Sequence, residues 1–399
     1  MANHDTARRA PYLPVIETVN AFVAFLFAAS APVAIILGSG LRGGLSDADL
    51  ASWIFAAFAL NGALSIGMSY AYRQPLAFFW TIPGTVLVGS ALQSLSFAEV
   101  IGAYLLTALL LLVLGLTGWV RLAMERLPMP IVMGMVAGVF VQFGLDWIRA
   151  FETDFTLVAA MSAAFFALTA LPRAQKFLPP MIVALAVGLA VLALQDNGAA
   201  AAPHPGPILA HPALYWPEFS LAAALELVVP LTITVVAAQN AQGIVILRAA
   251  GHTPPVNAIT TACGGASALT AMFGSVSTCL TGPSNAILVS GGEQDRHWIA
   301  AVLLGLFAIL FGIFAPLVTS LLLATPAAFL STLAGLALLR TLQAAFQTSF
   351  GANFPLGALV AFLVTLAGLP VFNIGAPFWG LVFGVLASLL LERAAFSRP

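Results

Sequence analysis

The sequence predicts an all-α polytopic membrane protein, on three observations: a deficit of charge, a succession of apolar stretches each about one bilayer long, and a motif near residue 81 that returns near residue 281. Hydrophobic residues make up 61% of the 399 and charged residues only 7%, where a soluble domain carries roughly 25% charged. So little charge cannot cover a water-exposed surface of this size, whereas in lipid the outside can be as apolar as the inside. The mean hydropathy of +1.03 agrees. A formal net charge of -1 and the lack of a basic run give nucleic acid nothing to bind, so the environment to reason in is the lipid bilayer. The two cysteines, Cys263 and Cys279, are too few for a disulfide framework or a zinc site and read as small packing residues. No cofactor or metal is expected.

A helix crosses the hydrocarbon in about 20 apolar residues. On that measure the first half holds segments at 15–37, 49–70, 76–94, 97–118, 128–146, 155–171 and 179–195, and the second at 220–247, 256–272, 274–291, 297–322, 326–343, 354–370 and 376–393. Arg8 and Arg9 before the first stretch suggest a signal peptide. Val15 to Leu37, however, is longer than an h-region of about 7–15 residues and lacks a small-residue cleavage site, so it reads as the first span. Connections are short except 196–219, rich in Ala, Pro and His, which separates the halves.

With fourteen spans and the N-terminus inside, the cytoplasmic side receives Arg8, Arg9, Arg73, Arg121, Arg126, Arg173, Lys176, Arg248, Arg296, Arg340, Arg393 and Arg398, and the outside only Arg42 and Arg149. This split follows the positive-inside rule, placing both termini in the cytoplasm and 196–219 outside. The halves also echo each other: Thr81-Ile-Pro83-Gly84-Thr85-Val-Leu-Val in the third segment matches Thr281-Gly-Pro283-Ser284-Asn285-Ala-Ile-Leu in the tenth. Seven spans per copy is odd, so the second copy enters from the opposite side, as a 7+7 inverted repeat of the kind that alternating-access carriers use.

Segments three and ten carry the chemistry. Proline lacks a donor and suits the first turn of a helix, and Thr caps it. Each segment therefore reads as an extended stretch, about 76–81 and 275–280, followed by a half-helix from near 82 and 282. One such break alone also reads as a proline kink; the match between halves favours the half-helix. Two inverted half-helices would aim free N–H groups at a common point, attracting an anion by roughly 0.3–2 kcal/mol per terminus. The candidate binding residues are Thr81, Pro83, Gly84, Thr85, Thr281, Gly282, Pro283, Ser284 and Asn285. The eighth segment adds Gln239, Asn240 and Gln242, carboxamides that are costly in hydrocarbon unless paired; they read as helix–helix bonding or as substrate contacts. Phe78, Phe79, Trp80 and Phe273 flank the breaks. Burying a ring of about 150 Å² at about 25 cal/mol per Å² is worth roughly 4 kcal/mol, so these could line an aromatic site, Phe79 foremost, although their type alone also fits packing. Glu226, one and a half turns below the outer end of the eighth segment, is a proton-relay candidate or a snorkelling acid; Glu17 opens the first segment. All five histidines, His4, His204, His211, His252 and His297, fall in loops, so none reads as a buried proton carrier.

The stretch Pro230-Leu-Thr-Ile-Thr-Val-Val-Ala-Ala-Gln239-Asn240-Ala241-Gln242-Gly243, followed by Ala250-Gly-His-Thr-Pro-Pro255, resembles the benzoate/proton symporter family, BenE type; Gly282-Pro-Ser-Asn-Ala286 agrees. That family is similar in fold to nucleobase–ascorbate and SulP-type anion carriers. The resemblance implies a core domain at 15–118 and 220–322, a gate domain at 128–195 and 326–393, and a homodimer through the gate. Where nucleobase carriers place glutamates, this chain has Gln239 or Asn240, and Ser284 or Asn285, which suits an anionic substrate and leaves the proton-coupling residue open.

The expected function is a secondary transporter importing an aromatic carboxylate, benzoate, with a proton across the bacterial inner membrane. The rivals are a nucleobase or inorganic-anion carrier of the same fold and an uncoupled anion channel. An enzyme is not expected: the chain has no His-Glu-x-x-His, no Gly-x-Ser-x-Gly and no embedded pair of aspartates.

Overall fold

The computed structural model describes residues 14–29, 31–120, 128–171, 180–195, 207–351, 353–368 and 376–396. The basic residues Arg8, Arg9, Arg121, Arg126, Arg173, Lys176 and Arg398, and the first part of the 196–219 connection, lie outside the described residues. The molecule is mostly helical. Among the described residues six helices are long and apolar enough to cross a membrane: Val15–Arg42, Asp47–Tyr72, Phe97–Thr117, Met129–Thr153, Leu221–Arg248 and Gln294–Ile313. At 1.5 Å per residue, 28 residues in the first make about 42 Å, ample for a hydrocarbon core of about 30 Å. Shorter apolar helices include Phe155–Thr169, Pro180–Gln195 and Pro355–Ala367.

Local chemistry sets the ends. Ser46 with Asp49, and Ser96 with Glu99, form capping boxes that start Asp47–Phe55 and Phe97–Thr117. Gly118 ends the latter helix in the left-handed conformation. Two expectations are corrected. The first segment runs past 37 to Arg42, with Gly38 and Gly40 inside the helix. The eleventh is not one helix over 297–322: it divides at Phe314 into His297–Ile313 and Ala315–Leu323, where Pro316, in the first turn of the second piece, cannot continue the ladder. A bend of 107° then separates Ala315–Leu322 from Ala327–Leu336. Arg340 lies within the helix Ala327–Phe350 rather than at its end.

Helices approach closely where side chains vanish. A Cβ on Gly62 would meet the Gly305 carbonyl at 2.7 Å, and one on Gly305 would meet the Gly62 carbonyl at 2.6 Å, so both positions must be glycine for Asn61–Tyr72 to pack on His297–Ile313. Elsewhere Phe97–Thr117 packs on Val256–Ala271, and Met129–Thr153 packs on Ala327–Phe350 and Pro355–Ala367.

Among the described residues the exceptions to helix are two short strands in the middle of the chain's two broken segments. Strand β1 (Phe78–Trp80) pairs antiparallel with β2 (Thr278–Leu280), with Phe79 opposite Cys279. Reciprocal bonds extend the ladder: the Thr81 N–H donates to Ser277 at 3.0 Å and the Thr281 N–H to Ala77 at 3.1 Å. In hydrocarbon every backbone group needs an internal partner, and side chains of neighbouring helices supply those the two strands cannot. The Ser65 hydroxyl accepts from the Phe78 N–H at 2.8 Å, Ser267 accepts from the Thr278 N–H at 2.9 Å, and Asn240 Oδ1 accepts from the Leu280 N–H at 2.7 Å. Asn61 Oδ1 takes the Thr278 hydroxyl at 2.7 Å.

Candidate functional site

Each strand turns into a short helix at its proline: Ile82–Ala91 after Thr81, and Gly282–Leu288 after Thr281. Trp80 pairs with Thr278 and Phe78 with Leu280, so the helices leave the ladder at opposite ends. Their first turns nonetheless line one chamber of about 20 Å³ beside the ladder, together with Phe79, Trp80, Gln239, Thr281, Pro283 and Ser284. That is room for about one water.

The chamber adjoins a cavity of about 640 Å³, since both are lined by Phe27, Pro32, Ile82, Gln239 and Pro283. The size suits a small organic ligand. One wall comes from the half-helices and from Ala237, Ala238, Gln239, Ala241 and Gln242; the other comes from Met129, Met133 and Val136, from Met181, and from Leu338, Ala344 and Thr348. Among the described residues no charged side chain lines it. What the described lining offers an anion is dipoles rather than an ion pair.

The two helix starts differ. Thr81 caps the first, its hydroxyl oxygen accepting from the Gly84 N–H at 3.2 Å while it donates to Thr234 at 3.0 Å. Thr281 does not cap the second; its hydroxyl donates to the Ala77 carbonyl at 3.4 Å instead. The first-turn amides of Gly282–Leu288 are thus without a side-chain cap, beside the chamber. The Gln242 side chain lies over Gly282, where a Cβ would come within 2.5 Å of it.

The residues singled out from the sequence therefore separate. Pro83, Gln239, Gln242, Pro283, Ser284, Thr281 and Phe79 line one or both spaces. Thr81 and Thr85 are fully buried and serve the first half-helix, with the Thr85 hydroxyl donating to the Thr81 carbonyl at 3.0 Å. Gly84 packs against Thr81 and Leu231, and a Cβ there would sit 2.3 Å from Thr81 Cγ2. Asn240 and Asn285 line neither space. The Asn240 amide holds Leu280 and touches Cys263, and the Asn285 amide holds Ala77 and the Thr281 carbonyl. A wide π-helical turn at Thr234–Asn240 is what sends Gln239 to the cavity and its neighbour Asn240 to β2. Phe273 packs on Phe55, ring centroids 6.2 Å apart, away from the cavity.

Glu226 is buried within a π-helical turn, Ala224–Val228, and does not snorkel; it lines neither space. Glu17 is also buried, its Oε1 beside Gly292. The expectation that no histidine is buried is corrected: His252 and His297 are both buried and joined, Nε2 to Nδ1, at 3.1 Å. Burial, then the charge of His297, pushes the His252 imidazole below its ordinary value. Position in a connection hid this, because the loop folds back onto a helix start. Sequence reasoning also passed over the three methionines of the far wall, although the spacing of Met129, Met133 and Val136 marks one helix face.

Toward its other end Met129–Thr153 is tied to the first helix by an ion pair. Arg42 ends the first helix and reaches Asp146 of Met129–Thr153 at 2.8 Å, while its guanidinium lies 4.6 Å over the Phe143 ring. Arg149 adds a contact to Asp146 at 3.5 Å. A pocket of about 50 Å³, lined by Ser39, Arg42, Gly89, Ser90, Gln93, Gln142 and others, lies there. Residues 207–219 cross the ends of several helices, with the Tyr215 hydroxyl donating to Asp49 at 2.5 Å and the Glu218 N–H to Ala98 at 2.9 Å.

A family model described as benzoate membrane transport protein matches residues 13–390. The inner membrane protein YdcO of Escherichia coli (strain K12) is 30% identical over 388 residues, 96% of this chain and 97% of that protein. The benzoate membrane transport protein of Acinetobacter baylyi is 28% identical over 386 residues, covering 94% and 95%. Among solved structures, the transmembrane domain of a cyanobacterium bicarbonate transporter, BicA, superposes with a TM-score of 0.61 at 16% identity, covering 94% of this chain and 98% of that one. Murine Slc26a9, an anion transporter in the inward-facing state, superposes with 0.66 at 13% identity over 97% of this chain and 69% of that one. Those two likenesses show a shared fold.

Proposed function

The chain belongs to the benzoate membrane transport protein family, and from that premise we propose that it imports a small aromatic carboxylate, benzoate in the first instance, together with a proton. The chain is a membrane transporter of that family rather than an enzyme. The observation that carries the proposal is the convergence of two helix starts, Gln239 and Ser284 on an apolar cavity with no charged lining among the described residues.

The carboxylate sits at the start of Gly282–Leu288, taking the amides that Thr281 leaves uncapped, the Ser284 hydroxyl and the Gln239 amide. The capped first half-helix adds its dipole from the opposite side. Asn240 and Asn285 position these groups by holding the strand backbones. The ring lies against the apolar wall. A benzoic-type acid has a pKa near 4 and is an anion at neutral pH. An inside-negative potential opposes its entry by about 2.3 kcal/mol per charge per 100 mV, and one accompanying proton removes that penalty. Glu226, buried in the eighth segment, is the proposed proton carrier.

The proposed architecture is fourteen segments in two inverted sets of seven, with core elements at 15–118 and 220–322 and gate elements at 128–195 and 326–393. The antiparallel ladder with its reciprocal Thr81 and Thr281 bonds supports the inversion, and the packing of Met129–Thr153 on Ala327–Phe350 supports the grouping. With both termini cytoplasmic and the inner membrane as the site, the cavity at Met129, Ala344 and Thr348 opens inward and the Arg42–Asp146 contact closes the outer end. Sliding of core against gate exchanges the two. An inorganic-anion carrier fits less well, because most of the lining of the cavity of about 640 Å³ is apolar and would contact a ring better than a small hydrated ion. Uptake of labelled benzoate into proteoliposomes tests the proposal. An acid-outside gradient should drive accumulation, and uracil or sulfate should not compete; indifference to the gradient would indicate a channel.

A further inference from the structure

We infer that Met129, Met133 and Met181 form a thioether wall that recognises the substrate's ring and sets a preference for aromatic over saturated carboxylates, an inference that rests on the carboxylate reading of the cavity. The helix Met129–Thr153 presents Met129, Met133 and Val136 on one face, and Met181 joins them from the first turn of Pro180–Gln195. Three of the chain's nine methionines thus converge on one space, the same cavity that the helix starts proposed to hold the carboxylate also line. Met135, two residues beyond Met133, is fully buried and lies outside the lining, so facing the cavity is not a property of every methionine on this helix.

Leucine would supply the same apolar area in nearly the same volume. Methionine adds a polarizable sulfur that is attracted to the edge of a π-system, and an unbranched chain that reshapes around ring substituents. A cyclohexane ring has no such quadrupole, so the sulfur contact discriminates between two acids of similar size and equal charge. Each contact changes affinity by about two- to tenfold. A cavity of about 640 Å³ exceeds an unsubstituted ring, and unbranched thioether chains can lean toward a bound ring where a leucine cannot.

Two measurements on the full-length protein in lipid test this. In the first, cyclohexanecarboxylate and unlabelled benzoate compete with labelled benzoate for uptake by the wild type, by M129L/M133L/M181L and by the control M135L. The wild type and M135L should favour benzoate, and the triple variant should lose at least about threefold of that ratio, through weaker benzoate binding alone. In the second, which needs no variant to fold for transport, the protein carries ¹³C-labelled methionine methyl groups, assigned by single substitutions. Benzoate should shift the Met129, Met133 and Met181 resonances by its ring current and leave Met135 in place; cyclohexanecarboxylate should shift none upfield. An unchanged competition ratio in the triple variant, or benzoate binding without those shifts, overturns the wall. If the wild type does not bind benzoate at all, the carboxylate reading fails and the wall with it.

Discussion

Asn285 treats Ala77 as a neighbouring strand would. Its Oδ1 accepts from the Ala77 N–H at 3.1 Å and its Nδ2 donates to the Ala77 carbonyl at 3.1 Å, with all four groups buried. A side chain from one half-helix thereby satisfies the backbone leading to the other. The two broken segments are a single unit joined at residues 77–81 and 277–285, and either would be poorly satisfied in lipid alone.

Replacing Asn285 with alanine should therefore act on the fold before it acts on binding. The buried Ala77 N–H loses its partner, at about 1–3 kcal/mol, while the Ala77 carbonyl keeps the Thr281 N–H. Asn285→Ala should lower the melting temperature in detergent by several degrees, with transport lost in proportion. A variant of unchanged stability and specifically weakened substrate affinity would mean that Asn285 contacts the substrate instead.

Gln239 and Asn240 should behave oppositely although they are adjacent. Gln239→Ala is expected to raise the KM for benzoate by about tenfold, a lost hydrogen bond to a charged group being worth roughly 1.5–3 kcal/mol, with little change in melting temperature. Asn240→Ala should destabilise the protein by leaving the Leu280 N–H unpaired. Parallel thermal-shift and uptake assays on the two variants separate the roles.

These roles mark where sequence reasoning stopped. The breaks at Thr81-Ile-Pro83 and Thr281-Gly-Pro283 were legible because capping and the missing proline donor are local chemistry. Which of Gln239, Asn240, Ser284 and Asn285 faces the cavity was not, because it depends on a π-helical turn and on strand pairing between positions two hundred apart. Met129 and Met133 carry a helical spacing, but spacing alone does not tell a cavity face from a packing face. His252 and His297 looked exposed because connections usually are, and only the folding of one connection onto a helix start buries them.

The contact between Arg42 and Asp146 should bias which end is open. The pair is partly exposed, so it is worth at most about 1 kcal/mol, or a factor of about five in the conformational ratio. Asp146→Asn should increase the reaction of a cysteine placed at Ser39 with a membrane-impermeant thiol reagent; the native Cys263 and Cys279 are buried and contribute little background. Labelling as slow as in the unaltered background would show that the ion pair does not hold this end shut.

Acid should loosen the His252–His297 contact. The native state disfavours protonation of His252, so the native chain binds fewer protons than the unfolded one, and stability falls as pH drops below the unfolded value of about 6.5. Melting temperatures of the wild type should decline between about pH 7 and pH 5 more steeply than those of His252→Gln. Equal slopes would assign the acid sensitivity to other groups.

The account turns on an anion held where Gly282–Leu288 begins, with its ring directed away from the strands. Diffraction from the protein grown with 4-bromobenzoate measures this directly, since anomalous scattering locates the bromine independently of the rest. The carboxylate should lie within hydrogen-bonding distance of Ser284 and Gln239, with bromine toward Met133 and Met181. Bromine outside the cavity, or a carboxylate turned from both half-helix starts, would contradict it.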